Sequence, residues 1–301
     1  MSVASATIIY ARATFCIKVS GGLNYKLLLP TYRARQRWVL RTLDRVGRAA
    51  EIGRMINVGC GEGDIDCDFR QSSGDLVACD LNEGDVAHAR ALNADVAGIE
   101  YLVSDAQQLP FDDASFDVVC CLEVIEHVAD PRACLRELAR IVRGDGHVVL
   151  TCPSARFPLT YDPLNWVLSR VGTHISVGAF GYGHDWLVRE EELVDWARDA
   201  GLSLVDSVQL CKALAGLAEA YWPGFLQSVI KANAKNRSGA TRQSVEAPGA
   251  RARVMPVVRP SRDNPPLLGV VDAFIDADDR LFASSRASLD LGFLFQRLHR
   301  D

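Results

Sequence analysis

The sequence predicts an α/β fold with a mostly parallel sheet, because short apolar runs alternate with helical patterns over its first 210 residues. Alternation of this kind gives parallel strands joined by right-handed crossovers, with helices on both faces of the sheet. A glycine-rich turn directly after the first apolar run supports the same fold, since it carries the chain from a strand into a helix. The predicted strands are residues 54–58, 75–80, 100–103, 116–122, 146–152 and 202–210.

Each helix is predicted from its apolar spacing and from the residues at its ends. Residues 32–50 precede the first strand and place apolar side chains at helical intervals. Residues 84–92 and 131–143 follow the second and fourth strands, and a G-D-G turn leads into the fifth. Residues 189–200 form the last of these helices, which ends at Gly201 because glycine readily takes the left-handed conformation of a helix end.

The composition argues against several classes of function. A length of 301 residues suits one large domain, or one domain with an appendage, and 49% hydrophobic residues can form a substantial core. The net charge of −5 leaves no basic stripe for nucleic acid. The nine cysteines form no C-x-x-C pair, so we expect neither a zinc site nor a disulfide framework, and a cytoplasmic location fits best. No apolar run approaches the ~20 residues of a membrane span.

The first strand leads into a turn that predicts a nucleotide site. The segment 55–64 reads M-I-N-V-G-C-G-E-G-D, and Asp80 follows at the end of the second apolar run. Gly59 and Gly61 let the backbone turn tightly and approach a ligand, and Asp80 lies at the spacing where a carboxylate accepts both ribose hydroxyls. The pattern is that of a half-Rossmann site for an adenosine compound.

Two acids beside this turn favour one adenosine cofactor over another. A dinucleotide would place its pyrophosphate on the helix N-terminus, next to the carboxylates of Glu62 and Asp64. That proximity costs on the order of a few kcal/mol where water is partly excluded. S-adenosylmethionine carries no phosphate, and its sulfonium is positive. The turn therefore favours S-adenosylmethionine over a nicotinamide dinucleotide.

Four sequence blocks resemble, in order, the class I (Rossmann-like) S-adenosylmethionine-dependent methyltransferases, especially their small-molecule branch. The resemblance covers about residues 38–210. The blocks are V-G-C-G-E-G at 58–63, Asp80, S-D-A-Q-Q-L-P-F at 104–111 and F-D-V-V-C-C-L-E-V-I-E-H at 116–127.

The resemblance implies roles for the residues in these blocks. The glycine motif would hold the methionine end of the cofactor, Asp80 the ribose and Asp105 the adenine amino group. Where the family usually has an acid, two residues before the first glycine, this chain has Asn57, whose amide can still form hydrogen bonds. The implied cofactor-binding residues are Asn57, Gly59, Cys60, Gly61, Gly63, Asp80, Leu81, Asp105, Ala106 and Glu123.

The resemblance also implies a Rossmann-like seven-stranded sheet whose last strand is antiparallel to the others. Residues 288–296 are the candidate strand, so a helical insertion far longer than an ordinary loop precedes it. The predicted division is an N-terminal arm at 1–30, the cofactor-binding core at 31–211, the insertion at 212–285 and the final strand at 286–301.

The insertion is predicted to contain two helices, at 212–232 and 267–282, on either side of a polar, arginine-containing linker at about 233–264. Its helices would pack on the sheet edge or on each other. Alternatively, they would form a flap over the pocket, or a surface for an apolar substrate or a bilayer.

For methyl transfer, the protein must align the nucleophile with the methyl group, exclude water and sometimes remove a proton. His127 is the first candidate for a general base, and His184 is the second. His127 could equally cap the following segment or bond a neighbouring carboxylate. Residues 154–186 are rich in aromatics and glycines and predict either a lid over the acceptor or a plain surface loop. The candidate acceptor-binding residues are Tyr161, Trp166 and Tyr182.

Three functions stay open. The first is methyl transfer to a small molecule, with a hydroxyl of an apolar or lipid-like metabolite as the acceptor. The second is a metal-assisted O-methyltransferase using Glu123, Glu126 and His127, since an E-x-x-E-H spacing occurs in some metal-using methyltransferases, where a residue such as His184 completes the site. The third is an S-adenosylmethionine-binding protein without catalysis. No nucleic-acid partner is expected, and the insertion could contact a membrane peripherally.

Overall fold

The computed structural model describes residues 25–156, 170, 188–216, 218 and 266–298. Within these residues the chain forms one seven-stranded sheet in the order β3-β2-β1-β4-β5-β7-β6. The strands are β1 (Arg54–Val58), β2 (Asp75–Asp80), β3 (Ile99–Val103), β4 (Phe116–Leu122), β5 (Val142–Pro153), β6 (Leu202–Leu210) and β7 (Asp290–Arg297). The helices are α1 (Pro30–Ala49), α2 (Asp66–Ser72), α3 (Glu83–Leu92), α4 (Pro131–Ile141), α5 (Glu190–Asp199) and α6 (Pro266–Leu281).

The strand directions confirm the predicted sheet. β1 pairs in parallel with β2 and β4, and β2–β3 and β4–β5 are also parallel. β7 lies between β5 and β6 and runs antiparallel to both. The central strands are buried along nearly their whole length, as expected for parallel strands covered on both faces, and this is why they appear in the sequence as continuous apolar runs.

Neighbouring residues of one strand enter two different cores, so the sheet is covered on both faces. Ile56 packs with Leu138 of α4 and Leu193 of α5, whereas Met55 packs with Leu43 of α1 and Phe69 of α2. Successive side chains of a strand point to opposite faces, which places α4 and α5 on one face and α1 and α2 on the other.

Most element bounds agree with the prediction to within two residues, and the exceptions have local causes. α3 begins within one residue of its predicted start, at Glu83, because the side chain of Asn82 accepts hydrogen bonds from the backbone N–H groups of Gly84 and Asp85. β5 begins four residues earlier than predicted, at Val142, which pairs with Phe116 of β4. The sequence did not predict α2, whose seven residues are too short to display a helical period.

The described part of the predicted insertion packs on the core. Leu268 and Ile275 of α6 are buried, and Ile275 packs in a small core with Ala34 of α1. Arg33 and Arg37 of α1, one helical turn apart, form ion pairs with Asp272 and Asp276, which have the same spacing on α6. The packing agrees with the interpretation that this helix lies on the core.

Residues 1–24 of the predicted arm, the linker and most of the first insertion helix lie outside the described residues, so the division into domains stays a prediction. Among the residues that the structure describes, no helix has the length and apolar character needed to cross a membrane.

Candidate active site

The glycine turn follows β1 at the carboxyl edge of the sheet, where open α/β sheets bind ligands. The N–H groups of Gly59 and Cys60 donate hydrogen bonds to the carbonyl oxygen of Cys79 in β2, at 2.7 and 2.9 Å. Gly59, Gly61 and Gly63 all have positive φ angles, of 77°, 52° and 78°, which disfavour other residue types. The turn is therefore fixed to the neighbouring strand in a conformation that glycine stabilises.

The surroundings of the glycines differ, and this difference marks the side open to a ligand. A Cβ atom at Gly59 would lie 2.1 Å from Val124 Cγ2, and one at Gly63 would lie 2.7 Å from Ala89 Cβ. A Cβ atom at Gly61 would meet no atom within 4 Å. Gly59 and Gly63 thus permit close packing, whereas the backbone at Gly61 faces open space that a cofactor can approach.

Asp80 ends β2 and is tied to this turn. Its Oδ2 accepts a hydrogen bond from the Gly61 N–H at 2.9 Å, and its Oδ1 accepts one from the Asn82 N–H at 2.9 Å. A carboxylate can accept about four hydrogen bonds, so both oxygens retain capacity for ribose hydroxyls. The adjoining Leu81 is 70% exposed, an apolar side chain beside the predicted ribose position.

Asp105 follows β3, the next strand of the same edge. Its Oδ1 accepts hydrogen bonds from the backbone and side-chain nitrogens of Gln107, at 2.8 and 3.2 Å. The neighbouring Ala106 is largely buried. The N–H of Ser104 donates to the carbonyl of Asp80 at 3.0 Å, which holds the ends of β2 and β3 together. The glycine turn, Asp80 and Asp105 therefore follow three adjacent strands at one edge.

Asn57 lies beneath the turn rather than on its open side. It is 2% exposed, and its Nδ2 donates a 2.6 Å hydrogen bond to Oδ1 of Asp66, the first residue of α2. The hydroxyl of Tyr101 donates to the other Asp66 oxygen at 2.9 Å, and Asn93 Nδ2 contacts both the Tyr101 hydroxyl and the carbonyl of Gly63. A buried polar network thus joins β1, β3, α2 and α3 behind the turn.

Asp66 is the member of this network that sequence reasoning missed. It is fully buried, and burial raises the pKa of its carboxyl to about 6, although the hydrogen bonds from Asn57 and Tyr101 oppose the shift. The sequence does not reveal its partners, because Tyr101 is 35 residues away in the chain and meets Asp66 only in the fold. The position next to a glycine turn was the one available signal.

Lys26 places a positive charge beside the two acids of the turn, which the sequence did not predict. The 3₁₀ turn Tyr25–Leu28 brings its Nζ within 2.8 Å of Glu62 Oε2 and into contact with Asp64. The pKa of Lys26 is raised by these two carboxylates against the opposing effect of burial. The acids beside the turn are thus partly neutralised, and they repel an anion less strongly than the sequence alone indicates.

Glu123, the first residue after β4, is held in an unusual backbone conformation. Its φ angle of 56° lies in the left-handed region, which non-glycine residues rarely adopt. Its Oε1 accepts a hydrogen bond from Thr151 Oγ1 at 2.9 Å, and its Oε2 pairs with Arg35 of α1 at 2.8 Å. Arg35 also pairs with the buried Asp290 of β7 at 3.0 Å. One arginine therefore joins the ends of β4 and β7 next to the glycine turn.

Glu126 and His127 lie next to this group. Glu126 is fully buried, and neither of its carboxyl oxygens has a hydrogen-bond partner among the described residues. Burial raises its pKa well above the usual range, and the negative charges of Glu123 and Asp290 act in the same direction. The side chain of His127 is about one-third exposed, with its Nε2 3.7 Å from Glu126 Oε1. An accessible imidazole thus lies next to a buried carboxyl whose pKa is raised.

The other predicted residues cannot be placed. His184, Tyr161, Trp166 and Tyr182 lie outside the described residues, so the lid and the second base stay predictions. For the metal-assisted alternative, the part of the chain that the structure describes contains no group of three or more histidine, cysteine or acidic side chains arranged to hold a metal ion.

The chain is similar to known methyltransferases in sequence. A family described as a methyltransferase domain matches residues 56–150. The chain is 31% identical over 173 residues to a ubiquinone biosynthesis O-methyltransferase of Pseudomonas paraeruginosa, a match that covers 56% of this chain and 71% of that protein.

Two solved structures show the same fold at low sequence identity. Phosphoethanolamine N-methyltransferase 2 of Haemonchus contortus, solved with S-adenosyl-L-methionine, has a TM-score of 0.53 and 14% identity, and the match covers 87% of this chain and 53% of that one. The 4+2 cyclase SpnF has a TM-score of 0.53 and 15% identity, covering 92% of this chain and 94% of that one. The same fold therefore occurs in proteins with different names and reactions.

Proposed function

Since the chain belongs to the class I S-adenosylmethionine-dependent methyltransferases, we propose that it methylates a hydroxyl group of a small, apolar or lipid-like molecule. The observation that carries this proposal is the position of His127, an accessible imidazole beside a buried carboxyl at the edge of the sheet that also holds the glycine turn. The relative that is 31% identical is named as an O-methyltransferase, which supports oxygen as the methylated atom.

The cofactor would be held by the turn, Asp80 and Asp105. The open space beside Gly61 admits its methionine end, the free acceptor capacity of Asp80 suits its ribose, and Asp105 would bind its adenine. When bound, S-adenosylmethionine supplies a methyl carbon activated by the adjoining positive sulfur, and transfer leaves S-adenosylhomocysteine. The protein contributes alignment of the acceptor and exclusion of water.

His127 would take the proton that the acceptor hydroxyl loses. A neutral imidazole accepts this proton at a ring nitrogen while the acceptor oxygen forms its new bond to carbon. Glu126, 3.7 Å from His127 Nε2, would position the ring. His184 is the second candidate for this role, and Tyr161, Trp166 and Tyr182 would surround the acceptor; these assignments rest on the sequence.

The test is turnover with a panel of phenolic and lipid-like alcohols. S-adenosylhomocysteine should form only when an acceptor is present, and the product should carry the methyl group on oxygen. Replacing His127 with alanine should lower kcat by about 100-fold or more, because general-base catalysis typically contributes that much. The exposed His88 provides the matched control, and His88→Ala should leave kcat unchanged. Full activity in His127→Ala would remove the proposed base.

No observation in the described residues favours the metal-assisted alternative. Both oxygens of Glu123 already have partners, Thr151 and Arg35. Turnover that stops after exhaustive chelation and returns with Mg²⁺, Mn²⁺ or Zn²⁺ would nevertheless establish it. A protein that binds the cofactor but turns over none of the acceptors would support the non-catalytic alternative.

Peripheral membrane contact through the insertion is a further part of the proposal. Val270 and Leu281 of α6 are 64% and 70% exposed, which gives this helix an apolar surface beside its packed face. An apolar acceptor dissolved in a bilayer would be reached from such a surface. Sedimentation with lipid vesicles tests it: the protein should pellet with them, and the double substitution V270S/L281S should release it.

A further inference from the structure

Asp66 is a buried negative charge without a cation. Its two hydrogen-bond donors, the Asn57 amide and the Tyr101 hydroxyl, are both neutral. Among the described residues, no lysine, arginine or histidine pairs with it, and its carboxyl is completely buried. A buried charge of this kind costs stability unless something favourable faces it, so its presence behind the glycine turn calls for a partner.

The other acids around the turn already have partners. Glu62 and Asp64 contact Lys26, and Asp80 accepts hydrogen bonds from two backbone N–H groups. Asp66 lies between Asn57, two residues before the first glycine, and Gly63, whose carbonyl accepts a hydrogen bond from the Asp66 N–H at 3.3 Å. It therefore lies directly beneath the backbone that the methionine end of the cofactor would contact.

We propose that Asp66 is a positioning residue that supplies the negative charge against which the cationic methionine end of S-adenosylmethionine is held. The inference rests on the proposed placement of the cofactor at the glycine turn. Asp66 would act from beneath the turn in two ways: through its field in a medium of low dielectric constant, and through the hydrogen bond that orients Asn57. The chain thus supplies from α2 the acid that it lacks at position 57.

The proposal predicts that affinity follows ligand charge. S-adenosylmethionine carries a sulfonium and an ammonium, S-adenosylhomocysteine carries the ammonium alone, and 5′-methylthioadenosine carries neither. In Asp66→Asn, the dissociation constant should rise by at least about 10-fold for S-adenosylmethionine, by less for S-adenosylhomocysteine and by under about twofold for methylthioadenosine. Isothermal titration calorimetry with the three ligands measures this series. A merely structural role for Asp66 in holding the turn would weaken S-adenosylmethionine and S-adenosylhomocysteine equally.

Asp68→Asn is the matched control, because it makes the same charge change two residues further along α2. Asp68 is only partly buried, and its Oδ2 accepts a hydrogen bond from Gln36 Nε2 at 3.1 Å. This variant should bind all three ligands as the unchanged protein does. The double variant N57D/D66N exchanges the acid and the amide, so the new amide at position 66 can donate to the carboxylate at position 57 and accept from Tyr101. The logarithm of its dissociation constant for S-adenosylmethionine should return at least halfway to that of the unchanged protein.

Three results would overturn the inference: unchanged S-adenosylmethionine binding in Asp66→Asn, an equal loss for S-adenosylmethionine and S-adenosylhomocysteine, or a double variant that binds methylthioadenosine normally but not S-adenosylmethionine. If Asp66→Asn fails to fold, the double variant alone decides. Failure of the proposed cofactor placement looks different, because the unchanged protein would then bind none of the three ligands.

Discussion

Asp66 and Glu126 are both fully buried, but the fold holds them differently. Asp66 receives a hydrogen bond on each oxygen, which favours its ionised form, and its pKa rises only to about 6. Glu126 receives none from the described residues, and burial raises its pKa well above that of an ordinary carboxyl. At neutral pH Asp66 is therefore mostly ionised beneath the glycine turn, whereas burial strongly favours the protonated form of Glu126 beside the His127 imidazole.

The pKa of Asp66 makes the stability of the fold depend on pH. Its carboxyl releases a proton near pH 3.8 in the unfolded chain and near pH 6 in the folded protein, so the folded protein binds more protons between these values. The stabilising contribution is present below about pH 4 and is lost as the pH rises through 6. The free energy of unfolding, relative to that of Asp66→Asn, should fall by on the order of 2 kcal/mol between pH 4.5 and 7.5.

Urea unfolding of both proteins over this pH range measures the difference. Glu126 and Asp290 also have raised pKa values, but both proteins share them, so their effects cancel in the comparison. A difference that stays constant with pH would contradict the assignment of this pKa to Asp66.

Substitution of Asp80 tests the cofactor site most directly among single residues. Replacing it with alanine removes the proposed ribose acceptor and the hydrogen bond to the Gly61 N–H. The dissociation constant of S-adenosylmethionine should rise by at least about 10-fold, since charge-assisted hydrogen bonds contribute about 1.5–3 kcal/mol. Calorimetry measures it, and Asp75→Ala, at the exposed opposite end of β2, is the control. Equal affinities for both variants would refute the ribose assignment.

At the scale of elements, two glycines of the turn between β1 and α2 have different roles. Gly59 permits close packing, and Gly61 leaves space for a ligand. Gly59→Ala would place a Cβ atom 2.1 Å from Val124, whereas Gly61→Ala would place one in open space. Both residues have positive φ angles, so each substitution also costs about 1–2 kcal/mol of backbone strain. Gly59→Ala should therefore lower the unfolding free energy more than Gly61→Ala does.

Gly61→Ala should instead weaken cofactor binding, because its new methyl group would occupy the space that the cofactor approaches. Thermal unfolding combined with S-adenosylmethionine titration separates the two effects in each variant. If Gly61→Ala bound the cofactor normally, the open space beside Gly61 would not be the binding side of the turn.

The elements also show how far the sequence predicts this structure. The strands were predictable because parallel strands covered on both faces appear as short, mostly apolar segments, as in Arg54–Val58 and Phe116–Leu122. The glycines, Asp80 and Asp105 were predictable because their positions are local consequences of a turn after a strand. Asp66, Lys26 and Arg35 were not, because their roles depend on partners far away in the chain.

At the scale of the molecule, α1 connects the site with the insertion. Arg35 joins Glu123 and Asp290 at the ends of β4 and β7, while Arg33 and Arg37 bind α6. Because residues two apart on a helix point in different directions, one helix serves both contacts. The arrangement places α6 next to the helix whose Arg35 joins the ends of β4 and β7.

A crystal structure with S-adenosylhomocysteine tests the central claim most directly. We predict the homocysteine end against the turn at Gly61 and above Asp66, the ribose hydroxyls on Asp80 and the adenine beside Asp105. The ligand at another edge of the sheet, or in the opposite orientation with its adenine on the glycine turn, would contradict the account.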